Sequence, residues 1–157
     1  MNDLNTLVEK YPLLFNPEPN TPFSGYGFEC DNGWYNILDF ALNLLYSDYD
    51  QADRYLKHVM SSPQTPQTLE NASQQFNTAK ANLPTIAQIK EKWGSLRLYI
   101  DGGTDYHRGV VSMAEAMSCT ICEHCGNSGT THRRGWNKTL CDVHAAEKYG
   151  NVNTNKN

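Results

Sequence analysis

Four of the chain's five cysteines and three of its five histidines fall within one stretch, "CTICEHCGNSGTTHRRGWNKTLCDVH", from Cys119 to His144. Cys122 and Cys125 stand as C-x2-C with Gly126 directly after, and Cys141 and His144 stand as C-x2-H after a fifteen-residue spacer. Thiolate and imidazole are the soft ligands a tetrahedral zinc ion takes, and two short chelating pairs bring four of them together at low entropic cost. The spacing therefore points to one zinc ion per chain held by Cys122, Cys125, Cys141 and His144. Cys119 makes a second C-x2-C with Cys122 and is a substitute ligand; Gly126, free to turn the backbone under the first pair, favours Cys125.

Four soft protein ligands close the shell and leave no position for a reacting water, so the ion is read as structural. A disulfide framework is disfavoured in a chain that reads as cytosolic, and a thioredoxin-like pair needs a strand before and a helix after "CEHC". A nuclease built on such a module needs a free histidine base and a second metal ligand from the following helix. Only His132 and Asp142 offer those roles, because His144 is committed to zinc. Paired carboxylates, a nucleophile elbow and a phosphate-cradling loop are not seen elsewhere, and "DGGTD" lacks the strand-loop-Lys context of the last. The sequence predicts a protein that is not an enzyme. His124 and His132 read as solvent-facing or supporting residues, and His58 and His107 have no evident partner.

The ligands need elements to carry them. Gly126 and Gly129 suit a tight knuckle, "TTHRRGWNKTL" a hairpin turning at Gly135, and "CDVHAAEKYG" a helix start with Cys141 and His144 one turn apart. Together these predict a treble-clef-like zinc module over residues 119–149. A helix capped by Thr104 or Asp105, with Val110, Val111, Ala114 and Met117 as its apolar stripe, leads into it. Before that helix, "IAQIKEKWGSLRLYI" reads as a hairpin with a two-residue turn at Gly94-Ser95. That turn sets Trp93 opposite Leu96, Glu91 opposite Leu98 and Ile89 opposite Ile100, with Lys90, Lys92, Arg97 and Tyr99 on the other face. Glu91 is the odd residue, a carboxylate on the side that should be dry.

Residues 3–15 space Leu4, Leu7, Val8, Tyr11 and Leu14 or Phe15 as one helix that ends or bends at Pro12, and "NPEPNTPFSGYG" reads as a connection. From Trp34 to Val59 the apolar stripe is interrupted at residues 47–51, which predicts two helices or one broken near Asp48. Residues 61–83, rich in Pro, Gln, Asn and Thr, read as a long loop with room for one short helix at 68–81. The expected fold class is α+β: a helical and hairpin domain at 1–118, the zinc-binding module at 119–149 and a polar tail at 150–157. Trp93, Leu96, Leu98 and Ile100 are expected to pack on the Trp34 to Leu45 helix in one continuous core.

Composition narrows the partners. At 157 residues the chain can bury a real core without disulfides. Net charge is −4, made of nine acids against three bases in residues 1–57 and eight against ten in residues 58–157. An acidic first half disfavours indiscriminate binding of nucleic acid. No run of eighteen apolar residues and no basic-then-apolar leader occurs, so a cytoplasmic protein without a membrane partner is expected. The candidate contact residues are Arg133, Arg134 and Trp136 on the module, with Lys90, Lys92, Arg97 and Tyr99 on the hairpin, since Arg, Tyr and Trp dominate the energetic centres of interfaces. The same cations and Lys138, with Tyr99 or Trp136, would serve a nucleic-acid reading, by phosphate contact and base stacking.

The segments "GFECDNGWYNIL", "IKEKWGSLRLYIDGG" and "CEHCGNSG…RRGWNKTLCDVH" together resemble an uncharacterised family of small phage- and prophage-encoded bacterial proteins, over most of residues 26–146. The resemblance implies a zinc-containing protein of the host cytoplasm and carries no established activity. Its context suggests an adaptor or inhibitor of a host protein, anti-defence proteins included. Oligomeric state is not specified.

Overall fold

The computed structural model describes residues 3–15, 21–62 and 65–150. Most of the polar tail, residues 16–20 of the first connection and residues 63–64 of the expected loop lie outside the described residues. The architecture is α+β, and among the described residues no helix is long and apolar enough to cross a membrane.

Helix α1, Asn5–Lys10, stops before Pro12, and Leu4, Leu7, Tyr11, Leu14 and Phe15 are buried. Inside the expected connection stands a short helix, α2 at Pro22–Tyr26, because Thr21 caps it and Pro22 occupies its first turn. Strand β1, Phe28–Glu29, and a 3₁₀ turn at Asn32–Trp34 lead into α3, Tyr35–Ser61. The expected break near Asp48 is absent. The polar interval is simply the solvent side of the helix, reinforced by the i,i+4 pairs Asp50–Arg54 and Asp53–Lys57.

The loop expected at 61–83 is largely helix: the short helix allowed at 68–81 extends over Pro66–Asn82 as α4. Thr65 accepts from the Thr68 N–H and Pro66 stands at the first helical position, a start signal concealed in an amide-rich segment. Ala72 is buried, and Phe76 packs its ring 5.6 Å from that of Tyr49 on α3.

Strands β2, Thr85–Lys92, and β3, Ser95–Asp101, form the hairpin, with β1 parallel to β2 on its outer side. The turn is Trp93-Gly94 and not Gly94-Ser95, so Lys92 faces Ser95, Glu91 faces Leu96 and Ile89 faces Leu98. Both turn residues have positive φ, 58° and 82°, the arrangement of a type I′ turn. Moving the turn by one residue slides the pairing by two, so the paired side chains other than Trp93 keep their expected faces. Ile89, Leu96 and Leu98 enter one core with Ile37, Leu38, Ala41, Leu42 and Leu45 of α3, whereas Trp93 leaves the apolar face for the turn and is 67% exposed.

Helix α5, Asp105–Ser118, runs along the free edge of β3. The Leu96 N–H donates to Ser118 Oγ at 2.8 Å and the Leu98 N–H to Glu115 Oε1 at 3.0 Å. At the start of α5, buried His107 accepts from the Thr104 N–H through Nδ1 at 3.0 Å, which gives it the partner the sequence did not show. Its Nε2 is buried without one, and burial pushes the imidazole below its ordinary value despite opposing attraction from Asp48. The unfolded chain therefore binds the extra proton first as pH falls below about 6.5, and stability is lost in the interval down to the folded value. Urea melts across that interval should show a slope in the wild type that is reduced in His107→Gln; parallel profiles would refute this assignment.

The remaining elements are β4, Thr130–His132, β5, Lys138–Leu140, and α6, Asp142–Tyr149.

Candidate metal centre

Cys122, Cys125, Cys141 and His144 come together as spaced in the sequence, their ligand atoms all within 4.8 Å of one another. The separations are 3.8 Å for the Cys125 and Cys141 sulfurs, 3.5 Å from Cys122 Sγ to His144 Nδ1 and 3.2 Å from Cys141 Sγ to the same nitrogen. Four donors of this chemistry are placed to hold one metal ion. Cys119 is left out: it caps α5 and its exposed sulfur points back to the Glu115 carbonyl at 3.7 Å. Cys30 is a fifth thiol, pushed up to about 12 by burial, and is not one of the clustered residues.

Each ligand has a local reason for its place. The knuckle closes by the Gly126 N–H donating to the Cys122 carbonyl at 2.9 Å, and Gly126 takes φ of 79°, a conformation that favours glycine. Cys141 is the N-cap of α6, where helical N–H groups favour a thiolate. Its thiol is pulled down to about 7, chiefly by the His144 backbone N–H and, against some desolvation, by the His144 imidazole.

The knuckle also rests on a distant part of the chain. The Gly33 N–H donates to the Glu123 carbonyl at 2.8 Å, and the Trp34 indole N–H donates to the Ile121 carbonyl at 2.9 Å. A Cβ on Gly33 would stand 2.6 Å from the Cys125 nitrogen and closer still to the Cys122 and Glu123 carbonyl oxygens. Gly33 is thus required for space. Spacing rules could not nominate Gly33 and Trp34 as part of the site.

Glu91, the anomalous carboxylate, is explained by what covers it. Lys138 of β5 lies 3.3 Å from Glu91 and 2.6 Å from Glu123, both carboxylates being nearly fully buried. Glu91 also accepts from the Gly94 N–H at 2.7 Å and the Trp136 indole N–H at 3.0 Å. Burial pushes the Glu123 carboxyl up, with Lys138 opposing, whereas for Glu91 the Trp136, Gly94 and Lys138 contacts outweigh burial and hold the carboxyl low. With Thr139 Oγ1 donating to the Gly94 carbonyl at 2.5 Å, this triad joins the module to the hairpin turn. Lys138→Ala leaves two buried carboxylates unpaired and should cost about 3 kcal/mol or more near neutral pH. The deficit should shrink as acid protonates Glu123; one that grows in acid would argue against the triad.

The expected contact residues separate into two groups. Arg133, Arg134 and Trp136 are exposed between β4 and β5, Trp136 at 69%. Lys92 and Tyr99 are exposed, but Lys90 places its ammonium over the Tyr99 ring at 5.4 Å. Arg97 is half-buried, donating to the Leu96 carbonyl at 2.8 Å with Glu115 at 3.8 Å. Trp93 is the contact candidate that sequence reasoning assigned to the core.

His124 is exposed, its ring 4.3 Å from that of His144, with Asp31 at 3.7 Å. His132 is half-buried, its Nε2 within 3.3 Å of the Leu140 carbonyl and 3.4 Å of Thr130 Oγ1. Compared with family models, with curated proteins and with solved structures, the chain matches none.

Proposed function

We propose that this chain is a non-enzymatic, zinc-stabilised adaptor or inhibitor that acts by contact with a protein partner, a host protein of the bacterial cytoplasm if the phage resemblance holds. A tetrahedral zinc ion with bonds of about 2.3 Å to sulfur and 2.05 Å to nitrogen requires edges of about 3.8 Å between sulfurs and 3.5 Å from sulfur to nitrogen. The separations of 3.8 and 3.5 Å match those edges and the third, 3.2 Å, is about 0.3 Å shorter; with all four ligand atoms within 4.8 Å of one another, the cluster supports a single ion. The order of knuckle, hairpin and ligand-bearing helix fits a treble clef. The contacts at His132 Nε2 support a structural role for that residue over service as a base.

The observation that carries the reading is the pair of exposed indoles, Trp93 and Trp136, displayed from two hairpin connections that share one carboxylate. Glu91 binds the Gly94 N–H beside Trp93 and the Trp136 indole itself, so both aromatic groups sit on a braced platform with Arg133 and Arg134 nearby in the chain. Trp93 holds φ of 58°, a region costly for a bulky side chain, at a position where Asn would be preferred. Strain retained at an exposed aromatic marks a functional position. Nucleic-acid binding is the second reading, favoured by Trp136 beside two exposed arginines. It is weakened because Lys138 is consumed by Glu91 and Glu123 and Arg97 is half-buried against β3 and Glu115.

Trp93→Asn separates binding from folding. It should leave zinc content unchanged and the fold no less stable, because Asn-Gly suits the turn. In an affinity pull-down from bacterial cytosol, Trp93→Asn and Arg133→Glu/Arg134→Glu should each lose a protein that wild type retains. Full retention by both variants would refute the surface, and loss of the captured species on nuclease treatment would favour the second reading.

A further inference from the structure

A separate face, formed by α3 and α5, is apolar and open. Phe40 is 74% exposed, Leu44 42%, Tyr106 50%, Met113 63% and Met117 47%. With whole side chains of roughly 150–250 Å² each, these five leave on the order of 500 Å² of apolar surface uncovered, within the size range of functional patches. Between the two helices lies a cavity of about 440 Å³ whose lining includes Ala41, Gly109 and Ala114.

Gly109 sits in the interior of α5, where glycine weakens a helix. Nothing lies within 4 Å of where its Cβ would stand, so no packing inside the molecule requires it. The missing side chain keeps the cavity open. Beside it Phe40 projects, so one face carries both a bulky apolar knob and a socket.

We propose that this face pairs with a second copy of the chain in an isologous interface, Phe40 of each protomer entering the socket over Gly109 of the other. A patch carrying knob and socket together is self-complementary, as a two-fold contact requires. Two copies of the five exposed side chains supply on the order of 1,000 Å² before any rim is counted, the threshold for a stable specific interface. By helical spacing one border of the face is Asn36, Asn43 and Ser47 on α3 and Ser112 and Ala116 on α5. The nearby acids Asp39 and Asp105 are paired with Lys10 and Arg108. Asp48, one turn beyond Leu44, is exposed and has no ion pair among the described residues, so an isologous contact has to leave it at the solvated rim. This inference is independent of the zinc centre and of the tryptophan surface.

Sedimentation equilibrium on the full zinc-loaded chain, from low micromolar to its highest soluble concentration, tests it. Wild type should fit a monomer–dimer equilibrium, and Gly109→Leu should weaken it at least tenfold. Open space above Gly109 means that this variant should keep wild-type zinc content and thermal midpoint. Met113→Lys, altering an exposed side chain, should have the same effect on association and serves if Gly109→Leu fails to fold. A strictly monomeric wild type, or a dimer whose constant neither folded variant moves, would overturn the proposal. So would a different protein found seated in the groove.

Discussion

Replacing Gly33 by alanine is expected to disable the metal centre, although Gly33 binds no metal. The added methyl group would meet the backbone of Cys122, Glu123 and Cys125, and backbone has no alternative rotamer into which to withdraw. The Gly33 N–H bond to Glu123 would break or the knuckle would shift, spreading the ligands. Overpacking of this severity should cost about 3 kcal/mol, and because it falls on the ligand-bearing turn it should appear in both thermal midpoint and metal affinity. Competition against a chromophoric chelator gives the second quantity. A Gly33→Ala protein with wild-type values for both would show that the close approach is not required.

Removing the ion itself should have the larger effect. Structural zinc in small modules is worth about 10–16 kcal/mol in apparent binding free energy, most of it realised as folding. Chelation of wild type, or Cys122→Ser, is expected to unfold residues 119–149 and release the contacts that the module makes. Tryptophan emission reports this selectively. Of the three tryptophans, Trp93 and Trp136 are already exposed, whereas Trp34 is wholly buried with its indole bonded to Ile121. A red shift on metal removal therefore reads the loss of cover over Trp34. Metal-free protein with unchanged emission and melting would contradict a structural ion.

The ligand set was legible because its determinants are local: two chelating pairs, a glycine after one and a helix start under the other. The platform beneath them was not. Gly33 and Trp34 meet the knuckle across most of the chain, and a glycine needed for room carries no φ signature. Glu91 signalled itself as a carboxylate on an apolar face, but naming Lys138 required the two hairpins to be placed together. The hairpin turn was ambiguous because Gly94 serves either as the first or the second turn residue. Choosing the first hid the exposure of Trp93 yet left the other faces right, since a slip of two preserves side-chain parity. Helix α4 was foreseen only as a short helix at 68–81 within a loop, because amide-rich composition outweighed its Thr-Pro start, and the expected break in α3 mistook a solvated stripe for a stop.

The side chains with which α5 meets β3 have one more effect. Exposed strand edges invite further chains to add on, as in fibril growth and peptide capture by sheet extension. Ser118 and Glu115 occupy the Leu96 and Leu98 amides from which such growth would proceed, whereas on the opposite border β1 covers only Ile89 and Lys90 of β2. Sheet extension along β3 is therefore blocked at Leu96 and Leu98 by two side chains of α5.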